Sequence, residues 1–206
     1  MRRAPFFFAL VSSQPVDMGL PYAMPNLTVM VPTVAERADM WAANRPHIET
    51  QQGPWGKLRL LVDDSAPAWG DQQALCDKRN RMLAQVRTAY VATFDDDDLM
   101  LPGHLHRLWD HLHTHNLDVV LGRAERPPEE AHEGATDPGW ASVSAALMRT
   151  AAIRKAGGWS FNGQSPDDIS SYYAWLALGL RIAVLPDPPS FVRVIGEHRH
   201  MPPLAS

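Results

Sequence analysis

Cysteine is nearly absent from this sequence. Cys76 is the single one in 206 residues. That excludes an internal disulfide, fits a reducing compartment and leaves the thiol as a small buried side chain. No apolar run approaches the ~20 residues of a membrane-spanning helix. There is no basic excess either: 19 Lys and Arg stand against 23 Asp and Glu, which gives no overall footprint for nucleic acid but permits a local basic patch. A Gly-rich triphosphate loop is missing, as are internal repeats and low-complexity tracts. What is present is 45% hydrophobic and 20% charged, the composition of a soluble globular protein of one domain or at most two small ones. The start, Met1-Arg2-Arg3 followed by Pro5 to Val11, has the outline of a signal peptide, but the apolar run is short and no small-residue cleavage site follows. We expect a cytoplasmic protein with residues 1–23 as an N-terminal extension of the domain.

Four short apolar runs stand out: Leu27–Val31, Leu58–Val62, Tyr90–Phe94 and Val119–Leu121. Continuous apolar runs suit strands covered on both faces. Amphipathic stretches lie between them. Asp71–Arg87 carries Leu75, Met82, Leu83 and Val86, and Pro102–Asn116 carries Leu105, Leu108, Trp109 and Leu112 at the spacing of one helix face. This alternation predicts an α/β fold with a central, mostly parallel sheet flanked by helices. Arg126–Gly139 reads as an exposed loop. Ser142–Arg149 reads as a strand, Asp167–Gly179 as a helix capped by Gly179, and Ile182–Leu185 and Phe191–Val194 as short strands.

The strongest local signal is the run Asp95-Asp96-Asp97-Asp98 at the end of an apolar strand. Ligands of open α/β sheets bind beyond the carboxyl ends of the strands. Adjacent carboxylates repel one another, and a divalent cation relieves that repulsion. Oxygen ligands suit Mg²⁺ or Mn²⁺, which also bridge phosphates. A solvated acidic turn with a helix cap is the plainer reading. Asp63-Asp64-Ser65 also follows an apolar strand, where a carboxylate can accept from a uracil imide or a ribose hydroxyl, or simply close an Asx turn. Lys78-Arg79-Asn80 can meet phosphates or face solvent. Asp167 and Asp168 open the late helix, where a carboxylate serves as a general base or as an N-cap. Of the histidines crowding one helix, His111 and His115 have the spacing of a zinc pair without the following Glu, so a solvated or partly packed face is expected for them. Trp140 and Trp159 can stack on sugar rings, yet core packing is the commoner role.

The order of these signals carries more than any one of them. Val31-Pro32-Thr33 with Glu36-Arg37, then Val62-Asp63-Asp64-Ser65, Lys78-Arg79-Asn80, and Phe94-Asp95-Asp96-Asp97-Asp98 before Leu101-Pro102, resemble the nucleotide-binding half of family 2 glycosyltransferases of the GT-A fold. Ser144–Arg149, Ala156-Gly157-Gly158-Trp159, and Asp167-Asp168 followed by Trp175–Gly179 resemble the family's later strand, its Gly-Gly-aromatic turn and its late helix. The resemblance covers about residues 27–198 and implies a single GT-A domain over 24–206. It further implies inverting transfer of a sugar from a nucleoside-diphosphate donor, most often a UDP-sugar, with Mn²⁺ or Mg²⁺ as cofactor.

By position, Asp63 and Asp64 would hold the nucleoside with Thr33, Glu36 and Arg79 nearby. Asp95 and Asp96 would lie against the diphosphate. Asp95 and Asp97 would be the DxD pair, with Asp97 the direct metal ligand and His198 a further ligand from the tail. Asp168 would be the catalytic base, with Asp167 beside it. The acceptor would be a glycan, a lipid carrier, a protein or a modified nucleic acid. The chain departs from the family in lacking a glycine after Asp64, in reading Asp167-Asp168-Ile169-Ser170 where Glu-Asp-Trp-Asp is common, and in the spacing from Arg193 to His198. A non-catalytic binding module of the same fold and a nucleotidyltransferase are the two competing readings.

Overall fold

A computed structural model describes residues 24–65, 71–125, 141–164 and 167–192. The strands are β1 (Leu27–Pro32), β2 (Leu58–Asp63), β3 (Tyr90–Thr93), β4 (Leu99–Met100), β5 (Val119–Glu125), β6 (Ala141–Arg149), β7 (Ile182–Val184) and β8 (Phe191–Val192). The helices are α1 (Ala38–Glu49), α2 (Gln72–Gln85), α3 (His104–Thr114), α4 (Thr150–Lys155) and α5 (Asp167–Ala177), and a 3-10 turn at Ala35–Arg37 leads into α1. The strands pair in the order β2-β1-β3-β6-β5-β8-β4, with β7 also on β5. The four apolar runs form β1, β2, β3 and the start of β5; β1, β3 and β5 are buried as expected, whereas β2 lies at the sheet edge and has no fully buried residue.

The sheet is mixed. β1 pairs parallel with β2 and β3, and β5 pairs parallel with β7 and β8. β6 runs antiparallel to both β3 and β5, and β4 runs antiparallel to β8. The carboxyl ends of β1, β2, β3 and β5 therefore share one rim with the amino end of β6.

Each face carries a core. On one, Leu105, Leu108, Trp109 and Leu112 of α3 pack with Val29, Val31, Phe94 and Phe191. On the other, Cys76, Met82 and Leu83 of α2 and Trp175 of α5 pack with Met30, Val91 and Met148. At about 25 cal/mol per Å² of apolar area removed from water, these two layers supply the main driving force for folding. Trp159 and Trp175 are both core residues with rings edge-on, their centroids 5.6 Å apart. Trp140 lies outside the described residues.

The histidines of α3 divide. His106 pairs with Asp110 at 3.3 Å, and His113 stacks on Trp109 and meets the Tyr90 hydroxyl. The His111 and His115 rings touch each other at the helix end. His104, by contrast, is buried between Phe94 and Phe191, with Nδ1 2.9 Å from the Ser190 hydroxyl and Nε2 without a partner. Gly122 makes room for it, since a Cβ there would lie 2.9 Å from the imidazole and 2.5 Å from the Ala145 carbonyl.

Burial pushes the His104 pKa down from 6.5 to about 3. The unfolded chain therefore takes up this proton first. The stabilisation from a neutral His104 is complete above pH 6.5 and is lost as pH falls from there toward 3. Asp96, raised to about 6, biases stability the opposite way over part of that window, so a difference measurement isolates the histidine. His104→Asn keeps a polar atom near Ser190 and removes the titration. Its deficit in unfolding free energy relative to wild type should shrink by about 1.4 kcal/mol between pH 7.5 and pH 5.5. Urea melts at the two pH values read this directly, and an unchanged deficit would show that His104 is not held neutral.

The link from β6 to α5 is pinned from α2. Asn80 donates from Nδ2 to the Trp159 carbonyl and accepts the Trp159 N–H, both at 2.8 Å. The Trp175 indole N–H donates to the Gly158 carbonyl at 2.8 Å. Ser171 Oγ accepts from the Ser160 N–H at 3.0 Å. Gly158 has φ +82°, and a Cβ there would fall 2.1 Å from Asn80 Oδ1. Gly158→Ala adds left-handed strain to that clash and should cost at least about 2 kcal/mol in chemical denaturation.

Candidate functional site

Phe94, 1% exposed, is the last core residue of its strand segment, and its N–H donates to the Met30 carbonyl at 3.1 Å. The chain then leaves the core in a turn closed by the Asp98 N–H and the Asp95 carbonyl. Four identical side chains thereby receive different surroundings. Oxygens of Asp95, Asp97 and Asp98 converge to within 4.8 Å of one another. Asp96 turns inward instead and is 1% exposed. Its Oδ2 accepts the Thr33 hydroxyl, its Oδ1 lies 3.0 Å from Arg37 Nη2, and its carbonyl accepts from Asn44 Nδ2 at 2.7 Å.

Two arginines hold the outward carboxylates. Arg79 Nη2 meets Asp95 Oδ1 at 2.9 Å, and Arg37 Nη2 meets Asp97 Oδ2 at 2.6 Å. Arg79 comes from α2 and is itself 1% exposed, so its guanidinium is fixed by packing. Lys78, one residue earlier, is buried and donates to the Thr33 carbonyl at 2.6 Å. Burial pulls its pKa down. Burial raises Asp96 to about 6 against the opposing Thr33 hydrogen bond and Arg37 charge. Asp97 is raised as well, by burial and then by the Asp95 charge. A cluster in which burial and mutual repulsion disfavour ionisation is one that a divalent cation would relieve. Three oxygen donors brought together suit a hard ion such as Mn²⁺ or Mg²⁺.

The remaining expected residues sit as follows. Asp63 ends β2 and closes a turn onto Ser65, whose hydroxyl and N–H both donate to Oδ1. Burial pushes this carboxyl up, but the Ser65 bonds, with Lys78 and Arg81 nearby, outweigh it and hold it below the usual carboxylate range. Asp64 is exposed beside it. Glu36 is exposed on the 3-10 turn, and the residue of that turn that reaches the acidic cluster is its neighbour Arg37. Asp167 and Asp168 open α5. His198 and Arg126–Gly139 lie outside the described residues. The structure thus brings Thr33, Arg79, Asp95, Asp96 and Asp97 together and gives Asp96 to Thr33 rather than to the trio. It adds Asn44, which the sequence reading does not single out, and gives separate places to Arg37 and Asp98, which that reading names only within Glu36-Arg37 and the run Asp95–Asp98. A basic residue two positions after Val34-Ala35 and an Asn in a weak helix carry no distinctive signal.

Comparison with known proteins agrees with this arrangement. Residues 70–163 match the family model described as Glycosyl transferase family 2. The chain has the GT-A fold, and over residues 70–163 it is similar to that family. Among solved structures, this GT-A fold superposes on TarS of S. aureus in complex with UDP-GlcNAc with a TM-score of 0.62 and 17% identity, over 85% of this chain and 60% of that one. The mannosyltransferase PcManGT of Pyrobaculum calidifontis, in complex with GDP-Man and Mn²⁺, gives 0.59 and 19%, over 81% and 56%. The catalytic domain of Drosophila beta1,4galactosyltransferase 7, in complex with xylobiose, gives 0.60 and 16%, over 84% and 71%. The chain thus spans about 60% of the length of the TarS structure. No curated protein matches it in sequence. No helix among the described residues is long and apolar enough to cross a membrane.

Proposed function

We propose that the protein transfers a sugar from a nucleoside-diphosphate donor to an acceptor hydroxyl with inversion. The observation that carries this reading is the convergence of Asp95, Asp97 and Asp98, each of the first two braced by an arginine, at the carboxyl end of β3. Similarity to structures that hold UDP-GlcNAc, or GDP-Man with Mn²⁺, supports a nucleotide sugar and Mn²⁺ as the pair to test first. A UDP-sugar is our first choice of donor.

In this reading Asp97 and Asp95 hold the ion, which when bound neutralises the departing diphosphate. Asp63 and Asp64, at the end of β2, receive the nucleoside. Thr33 and Arg79 act from behind: Thr33 fixes Asp96, and Arg79 fixes Asp95 for its task. Asp168, in the first turn of α5, takes the proton of the acceptor hydroxyl as it attacks the anomeric carbon from the face opposite the leaving group. The helix N-terminus favours its ionised form. His198 joins the ligands from the tail, and residues 126–139 border the acceptor.

A panel of nucleoside diphosphates with Mn²⁺ tests the donor site by thermal shift, because a ligand of the native state raises apparent stability by RT ln(1 + [L]/Kd). The expected result is a shift with UDP and Mn²⁺ together that exceeds the sum of the separate shifts. Donor turnover in the same mixture separates transfer from mere binding, and pyrophosphate release from a nucleoside triphosphate would point instead to nucleotidyl transfer.

A further inference from the structure

The site contains a cation that the reading above leaves without a task. Arg37 ends the 3-10 turn after β1, and one nitrogen, Nη2, meets both Asp97 Oδ2 at 2.6 Å and Asp96 Oδ1 at 3.0 Å. Its side chain is 17% exposed, so water screens it only in part. Asp97 belongs to the converging trio and Asp96 does not. Two of the three carboxylates of the trio are therefore already paired with a cation from within the chain, Asp95 with Arg79 and Asp97 with Arg37, and Arg37 also has a carboxylate outside the trio, Asp96, within reach.

The two cations compete. An ion of the Mg²⁺ or Mn²⁺ kind sits ~2.1 Å from its oxygen ligand. On Asp97 it would lie on the order of 4 Å from the guanidinium, where like charges in a part-buried site repel strongly. Asp96 offers the guanidinium a second anchor outside the trio, held rigid by Thr33 and Asn44. A diphosphate would add negative charge that both ligates the ion and accepts guanidinium N–H groups.

We propose that Arg37 is a placeholder cation: it opposes metal binding in the free protein and yields Asp97, keeping Asp96, when metal and diphosphate arrive together. Metal and donor then bind as a coupled pair rather than independently, with Arg37 as the source of part of the coupling. This inference rests on the reading of Asp95, Asp97 and Asp98 as the donor's metal site.

The experiment is a Mn²⁺ titration, followed by the electron paramagnetic resonance signal of free Mn²⁺, with and without UDP. Wild type is compared with Arg37→Met and Arg37→Lys. Arg37→Met should bind Mn²⁺ alone roughly three- to thirtyfold more tightly, the scale expected for removing one nearby charge. The factor by which UDP tightens Mn²⁺ binding should fall correspondingly, and Arg37→Lys should stay near wild type. Arg37→Met leaves Asp96 buried without its cation, a change that can unfold the turn. Arg37→Met with Asp96→Asn, measured against Asp96→Asn alone, avoids this and should show the same tightening.

Mn²⁺ binding that is unchanged or weaker in both comparisons overturns the placeholder role while leaving the metal site intact. Wild type that binds no Mn²⁺ even with UDP, or an Asp97→Asn variant that binds it equally well, overturns the metal-site reading and the placeholder with it.

Discussion

Asp168→Asn should reduce turnover by about 10²–10⁴-fold, the usual loss when a general base is removed, with donor affinity little changed. Asp167→Asn should lose far less. The two residues are adjacent at the start of α5. Successive helical residues point about 100° apart, so only one of them can readily face a given reacting carbon. The helix itself is held in place: Trp175 is fully buried, and Ser171 is tied to Ser160 through both backbone groups. An amide at position 168 should therefore remove the proposed proton acceptor without moving the element that carries it. The check is kcat and donor Kd for each variant with a nucleotide sugar and Mn²⁺. A dead Asp167→Asn beside a normal Asp168→Asn would reverse the assignment, and two normal variants would remove the base from this helix.

A second large effect is expected at Asp97. Asp97→Asn should weaken Mn²⁺-dependent donor binding by about 100-fold or more, since changes even to the outer partners of a metal ligand cost 10–100-fold. The fold should survive. Asp97 is still a fifth exposed, and Arg37 keeps its 3.0 Å contact with Asp96 when Asp97 is neutral. Asp96→Asn should behave differently. That carboxylate is buried against Thr33 and Arg37, so its loss should appear first in thermal stability and only then in binding. Calorimetry with Mn²⁺ and UDP, run beside thermal melts, separates the two. Equal metal affinity in wild type and Asp97→Asn would sink the ligand assignment.

The contrast between Asp96 and Asp97 also marks where the sequence stops being informative. Apolar runs announce β1, β3 and β5 because a strand covered on both faces has little choice but to be apolar, while β2, at the sheet edge, is marked by the half-buried Leu58, Leu60 and Leu61. α2 and α3 announce themselves by the spacing of their leucines. α1 does not: it buries little beyond Asn44 and Ile48 and carries Pro46 in its last turn, so no apolar stripe betrays it. The direction of β6 is equally silent, since a buried strand has the same composition whichever way it runs. Within the acidic run, residue type cannot distinguish four aspartates. Only the turn after Phe94 decides that Asp96 goes inward. Asn80 and Arg79 are neighbours in one motif, yet a 100° step along α2 sends the first to the Trp159 backbone and the second to Asp95.

The reversal of β6 has an evolutionary corollary. Because that strand enters the sheet from the rim where β5 leaves it, the ends of the connection between Glu125 and Ala141 both lie on the side that carries Asp95–Asp98. Loop lengthening costs little entropy, about 0.6 kcal/mol per doubling, and strand register is fixed elsewhere by the core. New sequence can therefore be spliced in beside the acidic turn without disturbing the residues that brace it. On the proposed reading, a lineage built on this sheet can exchange what it accepts while leaving untouched the machinery that grips what it spends.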